Sequence, residues 1–211
     1  ERARYLDLMA QQAERMQTLV SDLLTLSKLE GSPLPSMDTA VPIAPLMRQL
    51  EHDAKALSCA VAEDNEGTAQ KISFTCEFDG SLLGARSELL SAMSNLVTNA
   101  VRYTPRDGHI DIKLAPSPTD GALVFSVSDT GPGIAKEHLG RLTERFYRVD
   151  RSRSRETGGT GLGLAIVKHV AQRHGTKLLI ESTLGRGSVF SLTFPPQRVL
   201  QPKVLADAGK P

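Results

Sequence analysis

From residue 41 onward the hydrophobic period of the chain alternates between 3.6 and two, a pattern that fits helices laid on a sheet and little else. Leu46, Met47, Leu50, Ala54 and Leu57 repeat at helical spacing, with Pro42 and Pro45 near the first turn. "KISFTCEF" at Lys71–Phe78 then alternates as a strand does. Ser87–Tyr103 returns to helix, with Leu89, Leu90, Met93, Leu96, Val97, Ala100 and Val101 on its apolar side. Strands are predicted at His109–Ala115 and Ala122–Ser128, an irregular stretch at Pro132–Gly161, and a helix from about Leu162 to His174. Lys177–Ser182 and Ser188–Phe194 close the pattern as a hairpin around "TLGRG", and "PPQRVLQPKVLADAGKP" reads as a loose tail. The expectation is one α+β domain.

A different element precedes it. Met9, Gln12, Met16, Leu19, Leu23 and Leu26 step by threes and fours, flanked by Val20 and Leu24, so residues 1–31 read as one long amphipathic helix seeking a partner helix. Packing on its own domain is the plainer alternative. Gly31 ends the helix, and "GSPLPSMDTAVP" is a linker that proline keeps from continuing it. The chain of 211 residues is 40% apolar, enough for one sizeable core, and its net charge of +1 gives no general attraction to nucleic acid. No stretch approaches the roughly 20 apolar residues of a membrane span. Cys59 and Cys76 lack metal-ligand or disulfide spacing and are expected to be buried or inert thiols.

Four stretches carry the candidate chemistry. Asn95, Asn99 and Arg102, spaced by four and three, share one face of a helix. Two amides there suit neutral ligation of a magnesium ion that already carries phosphate charge, although a solvated polar face has the same spacing. Tyr103 at the helix end can stack on a base or cover the core edge. Asp129 ends an apolar strand, where a carboxylate accepts from an exocyclic amine, and Gly131 and Gly133 let backbone approach a flat ring; alone, this is an ordinary Asp-Gly turn. Gly158-Gly159-Thr160-Gly161-Leu162-Gly163 opens a helix whose free N–H groups favour an anion. It lacks the Lys-Ser/Thr of a P-loop and the βαβ setting of a dinucleotide fold. Between the glycine turns, "RLTERFYRVDRSRSRETGG" holds six arginines against three acids, a local cationic loop expected to be mobile from about Arg141 to Gly159 until an anion closes it on Phe146 and Tyr147.

The order of these elements resembles the catalytic domain of bacterial sensor histidine kinases, a branch of the Bergerat-fold ATP-binding family, through its N, G1, F, G2 and G3 segments. "ERMQTLVSDLLTLSKLE" is similar to the second helix of that family's dimerisation and phosphotransfer hairpin, and "RLTERFYRVDRSRSRETGGTGLGLAIVKH" is similar to the phosphate-regulon subgroup. The resemblance implies a two-layer α/β sandwich, a mixed sheet with helices on one face, behind a single long helix. It divides the chain into a hairpin helix (1–31), a linker (32–40), an ATP-binding domain (41–197) and a flexible tail (198–211).

It also implies roles. Asn99 would be the magnesium ligand and Asn95 the neighbouring phosphate contact, with Arg102 where many members have lysine. Tyr103 would flank adenine and Asp129 accept its amine, with Gly131 and Gly133 as the G1 turn. Arg148 would reach the terminal phosphate. Thr160, Gly161, Leu162, Gly163 and Leu164 would form the G2 segment, with Gly185 and Gly187 as a weaker G3. ATP and Mg2+ are the implied cofactors. A response regulator and, in the whole protein, a second copy are the implied partners; nucleic acid is not.

The family's His-Glu-x-x-Arg-Thr-Pro phosphoacceptor sequence is absent. His52, His109, His138, His169 and His174 all lie outside any such sequence; His169 is read as packed within its helix and His174 as a helix-end residue complementing the dipole. The chain is thus expected to be the cytoplasmic part of an inner-membrane kinase whose acceptor helix and sensory segments precede Glu1. Related ATPases of the gyrase, mismatch-repair and heat-shock chaperone type place a water-activating glutamate where this chain has Asn95, and an amide cannot act as that base. A module that binds nucleotide only to change shape is the third reading.

Overall fold

The computed structural model describes residues 2–63, 69–149 and 159–202. Helix α1 (Arg2–Gly31) leads through the linker to strand β1 (Ala40–Pro42) and helix α2 (Ile43–Glu63). Strands β2 (Lys71–Cys76) and β3 (Ser81–Leu83) precede helix α3 (Arg86–Tyr103). Strands β4 (His109–Pro116) and β5 (Leu123–Asp129), the single turn α4 (Lys136–Leu139) and helix α5 (Gly163–Arg173) follow. Strands β6 (Lys177–Thr183) and β7 (Gly187–Phe194) close the main sheet, and β8 (Val199–Leu200) ends the described fold.

The main sheet has the order β2-β4-β5-β7-β6, with β2 and β4 parallel and every other pair antiparallel. In β5, Leu123, Phe125, Val127 and Asp129 are buried while the residues between them are half-exposed, so one face carries the core. Helices α2, α3 and α5 cover that face. Leu89, Met93, Leu96 and Val101 of α3 meet Ile166 and Val167 of α5 above Ile110, Ile112, Phe125 and Leu192 of the strands. Each such side chain contributes roughly 1.5–3 kcal/mol by leaving water. Helix α3 stops because Pro105 pushes Thr104 to extended geometry (ψ 130°), and α5 stops at Gly175, whose φ of +60° lets Thr176 N–H turn back to the Ala171 carbonyl at 2.8 Å.

Several expectations change. A second, three-stranded sheet in the order β1-β3-β8 was not legible in the sequence, because strands of two or three residues carry too little periodicity to register. Residues 196–200, expected in the tail, form a 3-10 turn and β8 instead; the buried Arg198 donates to the Leu83 carbonyl at 2.9 Å. Residues 203–211 lie outside the described residues. The stretch 132–161 contains α4. Cys59 and Cys76 are free and exposed, not buried. His174 is fully buried with its Nδ1–H donating to the Val170 carbonyl at 3.0 Å and its Nε2 accepting from Ala85 N–H at 3.3 Å. Burial holds the imidazole below its usual pKa, so it packs as a neutral ring and brings no charge to the helix dipole.

Helix α1 packs on its own domain along α5, through the buried Leu26 and Leu29. Met9, Met16, Val20, Leu23 and Leu24 stay exposed on other sides of the helix.

Candidate functional site

The polar face of α3 is oriented by the packing of its apolar face. Because Leu96, Val97, Ala100 and Val101 are buried, Asn95, Asn99 and Arg102 fall on the half-buried flank of the helix. Asn95 donates its Nδ2–H to the Ser91 carbonyl at 2.8 Å, which turns Oδ1 outward. That oxygen approaches the first turn of α5 so closely that a methyl group built on Gly163 would stand 2.5 Å from it. A side chain at residue 163 would have to displace the Asn95 amide.

The G2 loop is shaped from both sides. Gly161 has φ +74°, and its carbonyl accepts from Phe146 N–H at 2.9 Å, joining the beginning of the arginine-rich loop to its end. Phe146 itself has φ +62° and an exposed ring. Thr160 Oγ1 accepts from Leu162 N–H at 3.2 Å, while Leu162 is fully buried and Leu164 packs against the core. Arg148 Nη2 and the Tyr103 hydroxyl each lie 3.7 Å from where a side chain on Gly159 would begin, so the cationic loop, α3 and the glycine-rich turn meet at one place. Burial, with Arg15 and Arg102 nearby, lowers the pKa of Arg148, against the opposing pull of Tyr103. Such a crowd of guanidinium groups is an anion's environment.

At the other end, Asp129 is buried at the end of β5, and its Oδ1 accepts from Gly131 N–H at 2.8 Å. Desolvation raises its pKa, opposed by the backbone N–H groups of Gly131 and Ser188. A methyl group on Gly131 would stand 2.7 Å from the Asp129 carboxylate and 3.0 Å from the Tyr103 carbonyl. Gly133 (φ +68°) packs on the Thr183 carbonyl, and Gly187 (φ +114°) on the carbonyl of Asp129 itself. The β6–β7 turn therefore buttresses the G1 turn: Gly185 N–H donates to the Pro132 carbonyl at 2.7 Å and Ile134 N–H to Ser182 Oγ at 2.8 Å. Ser182 and Ser188 were not singled out in the sequence; serines at strand ends beside glycines are too common to carry a signal.

Successive contacts run from Asn95 through Gly163, Gly161, Arg148, Tyr103 and Gly131 to Asp129 and Gly187, while Asn99 is placed only by its half-buried position one turn from Asn95 on α3. Residues 150–158, the remainder of the cationic loop with Gly158, lie outside the described residues. Its first part is more anchored than its composition suggests. Leu142 is buried, Arg141 pairs with Glu144 at 3.2 Å and stacks 4.2 Å over the Tyr147 ring, and the Tyr147 hydroxyl lies 2.7 Å from His138 Nδ1. A separate groove of about 430 Å³, between Met47 and Arg48 of α2 and Phe74, Cys76 and Phe78, shares none of these residues. Among the described residues no group of three or more His, Cys, Asp or Glu is placed to hold a metal ion. No described helix is long and apolar enough to cross a membrane.

The comparisons agree with this geometry. Residues 84–198 match the family described as histidine kinase-, DNA gyrase B-, and HSP90-like ATPase. The phosphate regulon sensor protein PhoR of Pseudomonas aeruginosa is 48% identical over 198 residues, covering 94% of this chain and 43% of that protein. The sensor-like histidine kinase SenX3 of Mycolicibacterium smegmatis is 38% identical over 195 residues, covering 91% and 48%. The chain thus spans less than half the length of these relatives. Full-length ShkA, solved in complex with AMPPNP, superposes with a TM-score of 0.72 at 26% identity over 95% of this chain and 40% of its own. With Asn95, Asp129 and the glycine turns joined by successive contacts, the chain belongs to the family of histidine kinase-, DNA gyrase B-, and HSP90-like ATPases, with sensor histidine kinases as its relatives.

Proposed function

We propose that this chain binds Mg-ATP in the ring of residues above and donates the γ-phosphoryl to a histidine, as the catalytic part of a sensor kinase that signals phosphate starvation. The observation that carries the reading is the ring itself: a buried carboxylate at Asp129, a glycine helix start at Gly163 and the Asn95 amide of α3 are joined by successive contacts, an arrangement that suits adenine at one end and an anion at the other. The residues present fit the ligand by their chemistry: the Asp129 carboxylate can accept from an amine, and Arg102 and Arg148 lie near enough to each other to share an anion. Asn99 would hold the metal, Asn95 and Arg102 the phosphates beside it, Arg148 the terminal phosphate, and Asp129 the adenine amine next to Tyr103. Magnesium would neutralise phosphate charge, while the chain's own groups position the nucleotide and stabilise developing charge. Asn95 stands where hydrolysing relatives are expected to carry their base, which favours transfer over attack by water.

The whole-protein reading extends this. The boundaries proposed are a hairpin helix at 1–31, a linker at 32–40 and a catalytic domain from 41, now carried to about 200 by β8. The exposed Met9, Met16, Val20, Leu23 and Leu24 suit an acceptor-bearing helix and a second copy, and a response regulator would take the phosphoryl group onward.

Calorimetric titration with ATP, with and without magnesium, tests the site. Asn99→Ala is expected to lose about tenfold in affinity with magnesium and nearly nothing without it, the size of one lost interaction to a charged group. Asp129→Asn is expected to narrow the preference for ATP over GTP, because an amide offers one acceptor oxygen where the carboxylate offers two. Equal binding of ATP and GTP by the unmutated chain would contradict the role given to Asp129.

A further inference from the structure

One stripe of α1 is turned toward the nucleotide site. Arg15, Leu19, Asp22, Leu26 and Leu29 recur by four and three, and all are less exposed than their neighbours on the opposite face. Leu26 and Leu29 are buried, and Arg173 of α5 donates to the carbonyls of Leu29, Ser32 and Pro33 at 2.8, 2.9 and 2.6 Å. Arg145 pairs with Glu30. Two turns nearer the N-terminus, Asp22 Oδ2 accepts the Thr160 hydroxyl at 2.6 Å, and the same hydroxyl oxygen accepts Leu162 N–H.

The helix thus brings a carboxylate to the G2 loop, where the glycine-rich start of α5 offers N–H groups to an anion. Carboxylate and phosphate oxygens are acceptors of the same class, and both take charge-assisted hydrogen bonds from hydroxyl and backbone donors. A phosphate seated against Thr160 would meet the negative charge of Asp22 and need the hydroxyl that Asp22 holds.

We propose that Asp22 is an internal occupant of the phosphate loop, so that docking of α1 through Asp22 and binding of a polyphosphate exclude each other. The inference rests on the ATP site proposed above and gives it a regulator. Nucleotide loading breaks the Asp22–Thr160 contact, while the Arg173 clamp at the far end of α5 keeps the linker in place. Load and release are one equilibrium: any upstream change that pulls the α1 stripe off α5 raises nucleotide affinity, and nucleotide in turn favours the released helix. If the docked state holds about nine molecules in ten, its removal tightens apparent binding about tenfold.

The test is calorimetric titration of the full chain and its Asp22→Ala and Asp22→Asn variants with Mg-ATP and, separately, with adenosine, at about 0.15 M and about 0.5 M salt. Expected is a gain of about tenfold for ATP in Asp22→Ala at both salt concentrations, a smaller gain in Asp22→Asn, which keeps an acceptor, and no change for adenosine. Hydrogen exchange in α1 near Leu26 should rise when ATP is added to the unmutated chain. Equal ATP affinity in all three proteins overturns the proposal, as does a gain that vanishes at high salt, which would mark distant repulsion, or an equal gain for adenosine. Failure of every form to bind either ligand would instead overturn the ATP site, and Asp22's role with it.

Discussion

Gly187→Ala is expected to destabilise the domain by about 3 kcal/mol and to abolish nucleotide binding in whatever remains folded. Two independent penalties meet at this residue. Its φ of +114° is a conformation that alanine rarely adopts, and the added methyl group would collide with the carbonyl of Asp129. Neither can relax cheaply, because the obstructing atom is backbone in the paired strand: Asp129 lies opposite Ser188 in the β5–β7 ladder. Pushing that carbonyl aside would tilt the carboxylate whose Oδ1 now accepts from Gly131, and with it the G1 turn. Urea denaturation gives the stability change and titration with ATP gives the binding. A loss below about 1 kcal/mol with unchanged affinity would mean that the turn tolerates a side chain and that the proposed coupling of G3 to G1 is wrong.

Arg173→Ala is expected to be as damaging for a different reason. The guanidinium is bidentate to Glu88, with both bonds at 2.9 Å, and both side chains are largely buried, at 8% and 14% exposure. Removing one partner leaves a buried carboxylate without its cation, an effect of about 3–5 kcal/mol when such a pair is broken. Arg173 also donates to the Leu29 carbonyl, one of the last in α1 and therefore without a partner inside its own helix, and to two linker carbonyls beyond it. The residue is thus a C-terminal cap supplied to α1 by another element. Its loss should unfasten α1 as well as weaken the core, so hydrogen exchange near Leu26 and Leu29 should rise along with the drop in urea midpoint. Arg173→Lys should recover part of the stability and little of the protection, since a single ammonium cannot hold a carboxylate and three carbonyls at once. Full protection of α1 in Arg173→Ala would show that the apolar contacts alone dock the helix.

What could be read without a structure follows from what is local. The periods of α2, α3, α5 and the long strands are written in consecutive residues, and so is the glycine at each described turn with φ above zero except Phe146. The order of asparagines, strand-end aspartate and glycine turns pointed to the family because each segment carries its own chemistry in a few residues. The amino-acid sequence alone therefore determined the α+β architecture and the long first helix, and it named the candidate residues of the site. It did not determine which face of α1 is covered. Leu19 and Leu26 go to α5 with Leu29, while Met9, Met16 and Leu23, equally periodic, remain exposed; a helix with two apolar stripes has no internal preference between them. Nor did it mark Asp22, Glu88 or Arg173, which look like ordinary helix-surface charges until partners more than eighty positions away close on them. His174 shows the same limit: a histidine at a helix end suggests a charge on the dipole, and only its enclosure by Ala85, Val170 and Glu88 makes it a neutral, buried ring. Desolvation and long-range pairing depend on what the rest of the chain brings to a residue, and that is decided when the helices settle on the sheet.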